Sequence, residues 1–406
     1  VLDLTYPDEP RVITNLQPTQ NGNSYTVTLP GHRGRVMYAV EDSAIKQPAS
    51  ISQNLPSTLS TPAHNAEFVI IAPKNLLTVA ETWANYRRGQ GTTVEVVDIA
   101  DIFDEFSYGS TRSLATRSFL QYAKANWQTP PKYVMLIGDA TYDPRNYKGF
   151  GGDNFVPSKL VDTIYIETGS DETLADFNDD GLAEIPIGRI AVRNAADATI
   201  VLNKVIGFEQ NVPQNYNTGF LFAFDGPNGY DFEGLSHRLA DLLPSTLPKT
   251  FVGRLFPNSQ ALLINEMNAG YYMINYSGHG NAKDWVNSAF FGYSTVPQLT
   301  NINKPSIYTL LTCMNGYFVD PNPSSESLSE YLVRFPNGGA VAAWSSTGLT
   351  TPDLQEVMAT RFYTKLAEGN TPRLGDLIRD AKGVVVGGRD VRLSWSLLGD
   401  PMLKIR

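Results

Sequence analysis

The chain has 406 residues, of which 42% are hydrophobic and 18% charged, and this composition is typical of a globular protein with a sizeable core and room for two domains. The formal net charge of −9 argues against nucleic acid as a partner and mildly favours basic substrates. No apolar run approaches the roughly 20 residues that a membrane helix needs, so no membrane span is predicted.

Residues 1–62 form a β-rich segment that differs from the rest of the chain. Short strands are predicted at 25–29 and 35–40 between turns rich in Pro, Gly and Asn, and a linker rich in Pro and Ser follows at 48–62. Two or three strands cannot build an independent core. The segment is therefore predicted to be the end of an upstream β domain, or a β arm packed on the domain that follows.

From residue 63 the pattern alternates between strands and helices, which predicts right-handed βαβ units and a parallel sheet. For the first subdomain, 63–215, we predict strands at 68–72, 93–98, 133–137 and 184–190 and helices at 76–88, 110–126 and 194–209. For the second, 216–406, we predict strands at 220–224, 271–276, 306–312, 340–344 and 402–405 and helices at 232–243, 353–366 and 374–385. The predicted fold class is α/β, with two side-by-side α/β subdomains whose sheets are mostly parallel.

Two strands of the second subdomain end in glycine-rich turns that carry reactive side chains. His279 lies between two glycines after the first of these strands, and Cys313, the only cysteine, follows the second and precedes Asn315 and Gly316. Ligands bind where the chain leaves the strands of open parallel sheets. A thiol and an imidazole at two such ends can supply a cysteine nucleophile and its acid/base partner. The alternatives are a buried hydrophobic cysteine and a histidine with a structural hydrogen bond.

These residues resemble the active-site segments of gingipain-type cysteine peptidases, which belong to the larger group that includes caspases and legumains. The likeness is carried by Tyr-Ser-Gly-His-Gly at 276–280 and Thr-Cys-Met-Asn-Gly-Tyr-Phe at 312–318. Further matches at 133–139, 187–190 and 394–403 follow in the family's order, so the resemblance covers about residue 65 to 406. It implies a caspase-like second subdomain and cleavage of peptide bonds through a Cys–His dyad and a thioacyl-enzyme.

The resemblance also implies roles for individual residues. Cys313 is the expected nucleophile and His279 the acid/base, and the backbone amides of Gly280 and Cys313 are the expected oxyanion donors. Asp225, just after the strand at 220–224, is the candidate for orienting the imidazole. The alternative is that Asp225 only starts a turn with the Gly and Pro that follow it. No cofactor is required for this chemistry.

The expected partners are protein or peptide substrates. Some family members hold Arg or Lys before the cleaved bond with a buried acidic side chain, and the matching neighbourhood here contains Asp231 and then Glu233. Trp344, Ser345 and Ser346 are expected to line the pocket, although the family's downstream tryptophan is missing. Cleavage after Arg or Lys is therefore the predicted specificity.

One loop has the pattern of a calcium site. Asp176, Asn178 and Asp180 supply oxygen ligands at positions 1, 3 and 5, and a glycine follows at position 6. The usual Glu at position 12 is absent, and Glu184 at position 9 is the expected substitute. Structural Ca²⁺ is predicted here, with a plain acidic turn as the alternative.

The leading functional prediction is a secreted or cell-surface bacterial cysteine endopeptidase. Val1 opens directly into Asp- and Pro-containing sequence, which predicts a mature or trimmed chain that lacks its signal and upstream regions. A sortase-like transpeptidase would use the same acyl-enzyme and is the closest alternative. A catalytically silent adhesion or assembly module is the other, and the sequence leaves the oligomeric state open.

Overall fold

A computed structural model of the chain describes residues 1–6, 9–29, 31, 33–51, 53–286 and 290–405. The chain divides into two units, Val1–Pro56 and Ser57–Arg406. The predicted boundaries at residues 62 and 215 stay predictions. Among the described residues, no helix combines the length and the apolar character needed to cross a bilayer.

In its described residues the first unit has a short 3₁₀-helix at Asp42–Ala44 and five short strands, β1 (Leu2–Asp3), β2 (Arg11–Val12), β3 (Thr19–Asn21), β4 (Ser24–Thr26) and β5 (Met37–Tyr38). They form an antiparallel sheet in the order β2-β1-β5 and a β3-β4 hairpin. None of the described side chains in this unit is buried. The unit therefore has no hydrophobic core of its own, as expected for so few strands.

The second unit alternates strands and helices. Its strands are β6 (Phe68–Ala72), β7 (Val94–Asp98), β8 (Tyr133–Ile137), β9 (Lys159–Asp162), β10 (Glu167–Ser170), β11 (Ile187–Ile190), β12 (Phe220–Phe224), β13 (Lys249–Gly253), β14 (Met273–Ser277), β15 (Asp284–Trp285), β16 (Phe291–Gly292), β17 (Ser306–Leu311), β18 (Ala340–Ser346) and β19 (Trp395–Leu398). Its helices are α1 (Leu77–Arg88), α2 (Ile99–Ser107), α3 (Ser113–Asn126), α4 (Glu172–Ala175), α5 (Ala195–Gln210), α6 (Val212–Tyr216), α7 (Phe232–Asp241), α8 (Ser259–Ala269), α9 (Leu328–Arg334), α10 (Pro352–Glu368), α11 (Leu374–Gly383) and α12 (Arg389–Ser394).

Ten of these strands form one sheet, in the order β13-β12-β14-β17-β18-β19-β11-β8-β6-β7. All neighbours are parallel except β18 and β19, so two parallel blocks of opposite direction meet at that pair. The strands β12, β14, β17 and β18 are buried along their whole length, which explains their mostly apolar sequences. The predicted α/β class with side-by-side parallel halves is confirmed.

The prediction of a final strand at 402–405 is wrong. The last strand is β19, which lies earlier, and Lys404 makes only an isolated bridge with Arg373. After β19 the chain turns at Asp400, whose buried carboxylate accepts hydrogen bonds from Trp83 Nε1 (2.7 Å) and Arg87 Nε (3.0 Å). This buried contact with α1 determines where the chain leaves the sheet.

Candidate active site

The two predicted catalytic side chains follow neighbouring strands. In the parallel pairing of β14 with β17, Ser277 lies opposite Leu311, and the amide of Gly278 donates to the carbonyl of Leu311 at 3.1 Å. His279 and Cys313 each come two residues after this aligned pair. The register therefore brings both to the same edge of the sheet. We call residues 278–283 the histidine loop and residues 312–319 the cysteine loop.

Aromatic residues of β14 and β15 anchor the histidine loop. The Tyr276 ring stacks on Trp285 with 4.1 Å between ring centroids, and the Tyr276 hydroxyl donates to the backbone carbonyl of His279 at 2.7 Å. Burial, and then the charge of Asp225, raises the pKa of Tyr276 well above its usual value, so the hydroxyl keeps the proton that it donates. The imidazole itself is exposed. The sequence places Tyr276 at the end of a strand and in the family-like segment 276–280, but its contact with the histidine loop was not predictable because it depends on the turn that follows.

Gly280 packs tightly against the cysteine loop. A β-carbon at Gly280 would lie 2.5 Å from Oγ1 of Thr312, so only glycine fits there. An isolated antiparallel bridge pairs Gly280 with Trp285 and uses the flanking amides of Asn281 (3.0 Å) and Val286 (2.8 Å). In this type of pair the central amide points away from the partner strand, so the amide of Gly280 is not used by the bridge. Its role as an oxyanion donor stays a prediction.

The cysteine loop turns sharply after the nucleophile candidate. Met314 adopts a left-handed conformation with φ of +57°, which is uncommon for a residue with a side chain and is typical of constrained functional turns. The turn is held because Met314 donates to the carbonyl of Gly348 at 3.0 Å and Gly316 to that of Ser346 at 2.9 Å. The Cys313 thiol is half-buried and donates to the carbonyl of Thr350 at 3.5 Å.

Asp225 lies beside the histidine loop but is paired elsewhere. A β-carbon at Gly278 would approach the Asp225 side chain to 2.6 Å, so the two segments are in contact. The buried carboxylate accepts from Arg254 Nε at 2.5 Å and from the amide of Gly226 at 2.6 Å. The imidazole of His279 has Nε2 3.4 Å from the carbonyl oxygen of Asn228. The orienting role of Asp225 stays a prediction.

The predicted specificity residues fall into an exposed pair and a buried group. Asp231 caps α7 by accepting from the amide of Gly234 at 2.9 Å, and both Asp231 and Glu233 are exposed. The next residue after Asp231, Phe232, packs edge-on against the His279 ring with 5.4 Å between centroids. Asp231 is therefore the sequence neighbour of a residue that contacts the catalytic histidine candidate, but it is exposed and not buried as the family resemblance implied.

The buried group is Trp344, Ser345 and Ser346, each at most 1% exposed. Trp344 stacks on Phe362 with 5.0 Å between centroids, and the Ser345 hydroxyl lies 2.9 Å from that of Ser329. In this structure the three side chains belong to the core, and their segment reaches the cysteine loop through backbone hydrogen bonds. That they line a substrate pocket stays a prediction.

The side chains of the predicted calcium loop hydrogen-bond to their own backbone. Asp176 Oδ2 accepts from the amide of Gly181 at 2.8 Å, Asn178 Oδ1 from Asp180 at 2.9 Å, and Glu184 Oε2 from Phe177 at 2.5 Å. Asp176 Oδ1 is buried and finds no hydrogen-bond partner in the part of the chain that the structure describes, which suits a cation. Within the described ranges, however, no three His, Cys, Asp or Glu side chains are grouped to hold a metal.

The other histidines make contacts of their own. His64 Nδ1 lies 2.8 Å from Glu95 Oε1, and the exposed His237 stacks on Phe251 with 4.2 Å between centroids. His32 lies outside the described residues. Neither His64 nor His237 lies in the loops that follow β14 and β17, where His279 and Cys313 are found.

The fold is similar to that of a known cysteine proteinase. The crystal structure of the Arg-specific cysteine proteinase gingipain R superposes with a TM-score of 0.71 at 22% identity, covering 85% of this chain and 80% of that one. Gingipain R2 from Porphyromonas gingivalis is 22% identical over 393 residues, which are 88% of this chain and 48% of the relative. Gingipain R1 from the same organism is 21% identical over 375 residues, 84% of this chain and 34% of that protein. The chain thus spans about half or less of the length of these relatives.

The sequence pattern of peptidase family C25 matches residues 61–406. The chain therefore belongs to this family of gingipain-type cysteine peptidases.

Proposed function

We propose that the chain is a cysteine endopeptidase in which Cys313 is the nucleophile and His279 the general acid and base. The observation that carries the proposal is the strand register, because Ser277 opposite Leu311 leads both loops out at one edge of the sheet. The half-buried thiol is within reach of a substrate, and membership of family C25 supports the same reading.

The reaction follows from these groups. The Cys313 thiol gives its proton to the imidazole of His279 as the sulfur adds to the carbonyl carbon of the scissile bond, and the amides of Gly280 and Cys313 hold the negative charge that forms on the oxygen. The imidazolium of His279 gives its proton to the departing amine as the carbon–nitrogen bond breaks, which leaves a thioester. The neutral imidazole then takes a proton from water, whose oxygen attacks the thioester carbon and releases the acid and the thiolate.

The imidazole needs a neighbour that orients it. Asp225 is the proposed orienting residue because it is buried against the histidine loop. Its ion pair with Arg254 keeps the carboxylate in place, and the carbonyl of Asn228 gives the imidazole a second neighbour.

The proposed substrates are proteins or peptides cleaved after Arg or Lys. Asp231 supports this specificity, because it is exposed and precedes the residue that packs on His279. The negative net charge and the Arg specificity of gingipain R point the same way. A secreted or cell-surface location is proposed by analogy with the gingipains. Structural calcium at loop 176–184 also remains a proposal, favoured by the unpartnered oxygen of Asp176.

The test uses a peptide library and a peptidyl-arginine electrophile that alkylates active-site thiols. Wild type should cleave after Arg or Lys and take the label on Cys313, whereas Cys313→Ala and His279→Ala should lose turnover while keeping the melting temperature. His237→Ala is the matched control, because this exposed histidine stacks on Phe251, and it should retain activity. Full activity of Cys313→Ala would end the proposal. Ligated product on adding an amine acceptor would instead indicate transpeptidation.

A further inference from the structure

A single buried side chain joins the two catalytic loops. Asn315, in the cysteine loop, is 0% exposed, and its Nδ2 donates to the backbone carbonyl of Asn281 in the histidine loop at 2.6 Å. Nδ2 would also lie 3.5 Å from a β-carbon at Gly280. The amide group of Asn315 thus lies between the two loops, next to Gly280, whose backbone amide is one of the proposed oxyanion donors.

The first turn of α9 completes this connection. The amide of Ser329 donates to the carbonyl of Asn315 at 3.0 Å, and the amide of Leu328 donates to the carbonyl of Ala282 at 2.7 Å. One helix end therefore holds the backbone of both loops. Ser327 and Glu330 fix this helix end by a capping box, in which each side chain accepts from the other's backbone amide.

We propose that Asn315 is a positioning residue that holds the histidine loop against the cysteine loop, an inference that rests on the proposed Cys–His chemistry. Beyond the hydrogen bond between Gly278 and Leu311, β14 and β17 have ended, so the sheet no longer keeps the loops in register. The Asn315–Asn281 hydrogen bond takes over that task two residues beyond His279 and two beyond Cys313. Acyl transfer is sensitive to such placement, because a misplacement of about 1 Å can lower the rate on the order of 100-fold.

The experiment uses Asn315→Asp, which keeps the side-chain shape but removes the N–H donor, and Asn315→Ser, which removes most of the side chain. The matched control is Asn301→Asp. Asn301 is also buried and donates through Nδ2 to the carbonyls of Lys304 and Gly339 at 3.2 Å, but it precedes the other end of β17. Melting temperatures show which variants fold, and the Ser variant serves if the Asp variant does not.

The main readout is the rate at which iodoacetamide alkylates the protein as a function of pH. Because Cys313 is the only cysteine, the rate reports on this thiol alone, and it does not require a known substrate. His279→Ala defines the pH dependence of a thiol without its imidazole. The folded Asn315 variants should shift towards the His279→Ala profile, and kcat on the best peptide substrate should fall on the order of 100-fold with KM little changed. Asn301→Asp should keep the wild-type profile.

Three results are informative. A shifted profile in the Asn315 variants, with the control unchanged, supports the inference. A wild-type profile in both folded Asn315 variants overturns it while leaving the proposed dyad intact. Identical profiles for wild type and His279→Ala would remove the dyad, and the positioning role would fall with it.

Discussion

Lys204 carries a prediction about stability that can be worked out from its surroundings. Its side chain, on α5, is 2% exposed, and its amine donates to backbone carbonyls at the far end of α9, in the turn that follows and at the start of β18: Leu332 (3.3 Å), Val333 (2.8 Å), Gly338 (2.7 Å) and Ala340 (3.4 Å). These contacts tie down the helix whose first turn holds both catalytic loops. Burial lowers the pKa of Lys204 from 10.5 to about 7.

The direction of the pH effect follows from this shift. Between pH 7 and 10.5 the unfolded chain keeps the proton on Lys204 while the folded chain releases it, so the free energy of unfolding rises with pH over that window. One pKa unit corresponds to about 1.4 kcal/mol, and from about pH 7.5 to 9 the gain is about 2 kcal/mol. Lys204→Met keeps the length of the side chain and removes this titration. The free energy of unfolding of wild type minus that of Lys204→Met should therefore rise by about 2 kcal/mol from the lower to the higher pH value.

Urea unfolding followed by tryptophan fluorescence at both pH values measures this difference. Lys249→Met is the matched control, because its amine also donates to a backbone carbonyl, that of Leu243 at 3.0 Å, but its side chain is only half-buried. It reports the effect of replacing a less buried lysine by methionine over the same pH range. A constant difference for Lys204→Met would refute the reasoning, since it would mean that Lys204 titrates alike in the folded and unfolded chain.

Further predictions concern three carboxylates and the candidate calcium loop. Asp171→Asn should lower the free energy of unfolding by about 3–5 kcal/mol, because it leaves the fully buried Arg189 without its bidentate partner. Asp179→Asn removes one partner of an exposed ion pair and should change the free energy of unfolding by under about 1 kcal/mol, as measured by urea unfolding. Asp225→Asn should lower kcat/KM at least about 100-fold if the carboxylate orients the imidazole, and a neutral result in a peptide assay would remove it from the site. EDTA should lower the melting temperature if loop 176–184 binds calcium, and an unchanged curve would contradict that site.

Much of the site's location was predictable because its signals are local. The strands Tyr133–Ile137 and Phe220–Phe224 were predicted to the residue, since each is a short apolar run bounded by turn residues. The same signal identified the two strand ends that carry His279 and Cys313. Contacts within the loops were not predictable in this way. Asn315 looked like an ordinary turn residue, and its hydrogen bond to Asn281 joins segments 34 residues apart.

The sequence by itself determined eight of the ten strands of the large sheet, the glycine-rich turns at the two strand ends of the site and which side chains stand there, because apolar patterning and turn chemistry act over a few residues. Only the tertiary structure decided how these pieces meet. It placed β19, near the end of the chain, at the junction where it pairs antiparallel with β18 of the other parallel block, and it paired Asp225 with Arg254. It also buried Asp400 against Arg87, 313 residues away in sequence. Which strands and ion pairs form depends on which groups are buried together in the folded chain, and a short stretch of sequence does not contain that information.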